Sequence, residues 1–112
     1  MSDFPLYMSL DKDIKTSRDL SKKQKKNFID DFKIMDDKGL EMIYLLIRFY
    51  ELNNKDGSRK EYQLPYYGKY EGDDILFDFD KFPKKLKRML FNFQKLHIKK
   101  MEEDKQKNKL VL

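Results

Sequence analysis

The sequence predicts a mainly α-helical domain: a three-helix bundle with a short β-strand or hairpin between the second and third helices. Three observations carry this. Apolar residues recur at three- and four-residue steps over residues 21–35, 38–53 and 83–101, the period of a helix with a buried face. Ser21 and Gln24 have the spacing of a capping box, in which side chain and backbone satisfy each other at a helix start. Between the second and third segments, Ile75, Phe77 and Phe79 alternate with acids, the period of an extended chain.

Residues 1–19 show no sustained period and are expected to form an N-terminal tail or a strap over a domain spanning 20–101. The first helix places Phe28, Ile29 and Phe32 on one stripe, with Met35 beyond. Lys22, Lys23, Lys25 and Lys26 lie in its first turns, where cations oppose the helix dipole, so tertiary packing must hold it. Asp36-Asp37-Lys38-Gly39 breaks the pattern, and either Asp suits the cap of the second helix. Leu40, Ile43, Tyr44, Ile47 and Tyr50 form one face of that helix. Met42, Leu45, Leu46 and Phe49 form another. A helix apolar nearly all round belongs at the buried centre.

Residues 55–72 read as an insertion loop, with a turn signal at Asp56-Gly57 and four tyrosines, Tyr62, Tyr66, Tyr67 and Tyr70. Pro65 would confine any strand there to an edge. Those tyrosines suit either packing on the domain's own surface or a second contact surface. Asp73 to Asp80 reads Asp-Asp-Ile-Leu-Phe-Asp-Phe-Asp, with Leu76 among Asp74, Asp78 and Asp80 on the face opposite Ile75. Pro83 suits the first turn of the third helix, whose stripe is Leu86, Met89, Leu90, Phe93, Leu96 and His97. The pattern fades after Met101, so 102–112 is expected to be a frayed tail. The predicted core is Phe28, Phe32, Ile43, Ile47, Leu86, Leu90 and Phe93.

Composition narrows the function. The chain has 112 residues, 40% of them charged and 14% aromatic: one domain, too rich in aromatic residues for full disorder. It has no cysteine and one histidine, which leaves out a disulfide scaffold and a cysteine-based zinc site. No Gly-rich phosphate loop, metal-ligand spacing or nucleophile–base pair stands out, so no enzymatic activity, cofactor, metal or small-molecule substrate is expected. No membrane-spanning run or signal peptide is apparent, and an intracellular home is expected.

Charge is segregated. Residues 71–80 hold five acids and no base, while residues 81–100 hold eight bases and no acid. Taken alone, the acidic segment reads as a structural strand with a solvated face. Likewise Lys84, Lys85, Lys87 and Arg88 read first as a solvated helix face. Their functional reading is contact with phosphate or an acidic partner.

The ordered set of Ser21, Lys25, Phe28, Asp30, Phe32, Met35, Leu40, Ile43, Tyr44 and Ile47, followed by Asp78-Phe79-Asp80 and the helix Pro83 to Phe93, resembles the extra-terminal (NET) domain of bromodomain-and-extra-terminal proteins. The likeness runs over roughly residues 20–97 and is gap-free from Leu20 to Arg48. It departs in a connection about a dozen residues longer than the family's compact loop, in Leu76 where the family strand carries an acid, in a shifted glycine near the second helix and in a third helix beginning one residue sooner. The chain is expected to stand alone, without a bromodomain.

The resemblance implies a non-enzymatic transcription or chromatin adaptor. Its strand would pair with a partner's linear motif of alternating Lys or Arg and hydrophobic residues. The residues implied are Asp73, Asp74, Ile75, Leu76, Phe77 and Asp78 on the strand and Leu40, Ile43, Tyr44 and Ile47 on the second helix, with the acids meeting the partner's bases. A nuclear location is implied, or a viral factory or virion, with the cytoplasm also open. A Lys-rich, Asn- and Ile-rich composition suits an AT-rich genome such as that of a protist or large DNA virus. The alternative, from another class, is a small basic nucleic-acid-associated or virion structural protein.

Overall fold

The computed structural model describes residues 4–15, 18–54, 64–107 and 110. It is mainly helical with a two-stranded hairpin before the last helix, but the helices number four rather than three. They are α1 (Pro5–Asp13), α2 (Lys22–Asp31), α3 (Asp37–Asn54) and α4 (Lys84–Lys107). The hairpin consists of β1 (Lys69–Glu71) and β2 (Asp74–Leu76).

Helix α2 starts as its sequence dictates. The Gln24 N–H donates to Ser21 Oγ at 3.1 Å, and the Ser21 N–H donates to Gln24 Oε1 at 2.9 Å. The helix tightens into a 3-10 turn at Phe32–Ile34. Lys25, unfavourable for the dipole, is drawn into an ion pair with Asp80 at 2.6 Å, which ties the first turn of α2 to the turn preceding α4. Asp36 caps α3, accepting from the Gly39 N–H at 2.8 Å. It also meets His97 Nε2 at 2.7 Å. Those two bonds hold the Asp36 carboxyl below its ordinary value, the His97 contact being the larger cause.

The core lies where α3 and α4 face each other. Ile43, Leu46, Ile47 and Tyr50 of α3 meet Leu86, Met89, Leu90 and Phe93 of α4, with Phe28 of α2 and Met35 closing one side. Gln94 is fully buried and donates to the Phe28 carbonyl at 3.0 Å, fixing α4 against α2.

The N-terminal segment, expected to be a tail or strap, contains a helix. Pro5 occupies its first turn, and Tyr7 and Leu10 are buried. The Tyr7 ring lies 4.6 Å from that of Phe49, with Phe4 edge-on to Phe49 at 5.0 Å. Burial pushes the Tyr50 hydroxyl up, with Tyr7 adding to the effect.

From there the chain is tied to the start of α4. Asp11 pairs with Lys85, which raises the lysine's pKa through that hydrogen bond. Lys87 Nζ reaches Asp19 at 3.0 Å, and this bond is the main cause holding the Asp19 carboxyl down. Arg88 donates to the carbonyls of Arg18 and Asp19 at 2.6 and 3.2 Å. The basic start of α4 is therefore no simple solvated face. Lys87 is only 8% exposed, its ammonium lying 6.0 Å from the Phe79 ring. Lys84 remains exposed.

Other expectations are corrected. Phe32, placed in the core, is 40% exposed, and Leu96, placed on the buried stripe, is 57% exposed. Phe32 stays beside Phe28, with ring centroids 6.0 Å apart, but at an open edge that no other described element covers, while Leu96 is exposed next to His97, which turns toward the start of α3. Helix α4 continues past Met101 to Lys107. Glu102 and Glu103 ahead of Lys105 and Lys107 favour helix locally without any apolar period. Pro65 does not border a strand; it is buried in a 3-10 turn, Pro65–Tyr67. Tyr66 and Tyr67 there adopt left-handed backbone conformations (φ 52° and 61°), uncommon for residues with side chains. Tyr66 packs edge-on against Phe82 at 5.5 Å, and Tyr67 faces solvent. Tyr62 and the rest of 55–63 lie outside the described residues. Among the described residues, no helix is long and apolar enough to cross a membrane.

Candidate functional site: an apolar groove beside an acidic hairpin

The hairpin register pairs Lys69 with Leu76, Tyr70 with Ile75 and Glu71 with Asp74, leaving Gly72 and Asp73 as a two-residue loop. Gly72 has φ +61°, and only glycine takes this value at the first loop position without steric cost. The loop is closed by the Glu71–Asp74 pair, whose carbonyl and amide form the turn's hydrogen bond. Bonded and non-bonded pairs alternate in an antiparallel ladder. The N–H and C=O of Ile75 therefore point away from β1, and among the described residues no strand pairs with that edge of β2.

Phe77 anchors the strand to the helices. Its ring lies 5.6 Å from Phe82 and 6.4 Å from Tyr44. It packs so closely on Gly68 that a Cβ there would sit 2.5 Å from the ring. Phe79 stacks on Phe28 at 4.7 Å. Together with the Lys25–Asp80 pair, these rings hold β2 alongside α2 and α3 while the hairpin itself stays exposed.

Between β2 and the helices lies a groove of about 230 Å³. Ile75, Leu76 and Phe77 form its strand side. Phe28, Ile29 and Phe32 form the α2 side, and Ile43 and Ile47 come from α3. Phe79, Phe82 and Leu90 complete the lining, so every lining residue is apolar. Ile29, Phe32, Ile75 and Leu76 are each more than a third exposed, whereas Ile43 and Ile47 are buried and form the floor. The volume falls below the roughly 300–1,000 Å³ typical of small-molecule pockets. It suits a few side chains of an extended peptide better than a cofactor.

Acids flank the groove on its hairpin side. Asp73, Asp74 and Asp78 are exposed there. Asp78 accepts from the Asp80 N–H at 3.0 Å. Among the described residues, no basic side chain pairs with Asp73, Asp74 or Asp78.

The structure thus brings Ile75, Leu76 and Phe77 together with Ile43 and Ile47. Leu40 and Tyr44 are half-buried and do not line the groove; the Tyr44 hydroxyl instead accepts from Arg48 Nη1 at 3.2 Å. Ile29 and Phe32 are the residues that sequence reasoning missed as groove walls. Their signal was present: two large apolar residues beside the acids of a short, very polar helix. Lys85, Lys87 and Arg88 hold the N-terminal segment and do not line the groove.

The chain matches no protein-family model, no curated protein and no solved structure.

Proposed function

We propose that this chain is a non-enzymatic peptide-capture module. It takes a short linear motif of alternating basic and aliphatic residues as an added strand on the outer edge of β2. The observation that carries this reading is the groove: an outward-facing Ile75 amide and carbonyl, an apolar trough directly beside them, and unpaired carboxylates at its rim. Strand addition supplies backbone hydrogen bonds, and the trough accepts every second side chain. The intervening Lys or Arg side chains meet Asp74 and Asp78. Such exposed pairs contribute only about 0–1 kcal/mol each, so they set register and association rate more than affinity. With Leu76 in place of an acid, this module favours a more apolar partner than a fully acidic strand would.

A transcription or chromatin adaptor is the role that fits this recognition mode and the extra-terminal resemblance, with a nuclear or viral-factory setting. The nucleic-acid reading is disfavoured, because three of the four basic residues it relied on at the start of α4 bind the protein's own N-terminal segment.

The test is calorimetric titration of a Lys/Leu-alternating peptide. Wild type binds. Ile75→Glu, which places a charge in the trough, loses binding. Asp74→Lys with Asp78→Lys loses the preference for basic over neutral peptides. Equal affinity across all three proteins would overturn the reading.

A further inference from the structure

We propose that the groove of one molecule is filled by residues 108–112 of a second copy, so that the protein associates with itself through the segment that follows α4. This rests on the peptide-capture reading and names an occupant for it.

The segment reads Asn-Lys-Leu-Val-Leu. In extended form, successive side chains alternate between faces. Lys109 then shares one face with Val111, while Leu110 and Leu112 share the other, and Lys105 and Lys107 sit in the last turn of α4 just before them. That pattern suits the groove: two leucines toward the trough, with Lys109 on the other face placed to meet Asp74 or Asp78. No other segment outside the described residues has it. Residues 55–63 hold a single large apolar side chain, Tyr62, and two acids, and residues 1–3 hold no base. Leu110 is 89% exposed, far more than a leucine with a partner surface in its own molecule.

Reach decides between the protein's own groove and a neighbour's. Leu90 lines the groove, and from there to Lys107 α4 advances about 25 Å at roughly 1.5 Å per residue. The molecule is correspondingly long, 60 Å against 37 and 33 Å. From Lys107 to Leu112 an extended chain covers at most about 17 Å. The segment therefore cannot lie along β2 of its own molecule while α4 is intact, whereas a second molecule's groove is accessible to it. The contact is heterologous, so it builds either a reciprocally exchanged dimer or an open chain. In both, mass rises with concentration.

Sedimentation velocity on the full chain over a concentration series tests this. Wild type should associate. A tail variant, Leu110→Glu with Leu112→Glu, and a groove variant, Ile75→Glu, should each weaken association roughly tenfold or more. A mixture of the two variants should form a one-to-one complex, because one retains a tail and the other a groove. A monomeric wild type, unaltered association in either variant, or an inert mixture would each overturn the proposal. Titrating the tail variant with a peptide of residues 108–112, and separately with a Lys/Leu-alternating peptide, separates the two ideas. Binding of only the second sinks self-association and leaves peptide capture standing. Binding of neither sinks both. Binding of the first with a monomeric wild type overturns the contact between copies.

Discussion

Replacing Phe93 by alanine tests whether the α4 stripe is core or contact surface. Phe93 is 6% exposed and belongs to the cluster joining α3 and α4. Its ring also stacks on His97 at 5.3 Å, and His97 in turn reaches the cap of α3 through Asp36. Emptying a buried aromatic site costs about 3–5 kcal/mol, a large share of the roughly 5–15 kcal/mol that holds a domain together. At roughly 4 °C per kcal/mol for a chain of this length, Tm should fall about 12–20 °C. The matching control is Leu96→Ala. Leu96 is on the same helix but 57% exposed, so its loss should stay within about 0.5 kcal/mol. Thermal and urea unfolding followed by circular dichroism give both values. Equal effects of the two substitutions, or an unchanged Tm for Phe93→Ala, would refute the packing argument.

Acid should destabilise the fold through Asp36 and Asp19, whose carboxyl groups are both held below the ordinary value of 3.8. A depressed folded pKa contributes stability above the unfolded value that is lost as pH falls through the folded one; Tm should therefore drop as pH falls below about 4, and less steeply in Asp36→Asn. Lys87→Gln with Arg88→Gln should release the N-terminal segment while α2, α3 and α4 stay folded. Limited proteolysis should then cut within residues 14–20 faster than in wild type, and unchanged cleavage would show that α1 packing alone holds the segment.

Much of this fold was legible because local and global signals agree. The Ser21–Gln24 capping box, the all-round apolar α3 and the alternation through Ile75 are each dictated within a few residues. Helix α1 was harder to see. Tyr7, Leu10 and Ile14 have helical spacing and Pro5 marks a start, but nine residues are too few for an isolated helix; it depends on Phe49, far along the chain. Phe32 keeps the helical spacing that put it beside Phe28, but spacing alone does not reveal that the bundle leaves that end of the stripe open. The groove followed the same pattern. Alternation and charge identified its strand as a strand, while the expectation of a binding face there came from the extra-terminal resemblance. Its α2 wall depended on which of several apolar residues the bundle leaves uncovered. The basic start of α4 looked solvated because Asp11 and Asp19, its partners, come from a segment without a sustained period.

Peptide capture by strand addition makes its sharpest claim about a single backbone amide. Ile75 N–H points away from β1, whereas the N–H of Asp74 is already committed within the hairpin. Amide hydrogen exchange by NMR, with and without a Lys/Leu-alternating peptide, reads both groups in one experiment. The tail variant Leu110→Glu with Leu112→Glu keeps self-association out of the comparison. Peptide should slow exchange at Ile75 markedly and leave Asp74 nearly unchanged. Bound peptide with no added protection at Ile75 would contradict strand addition.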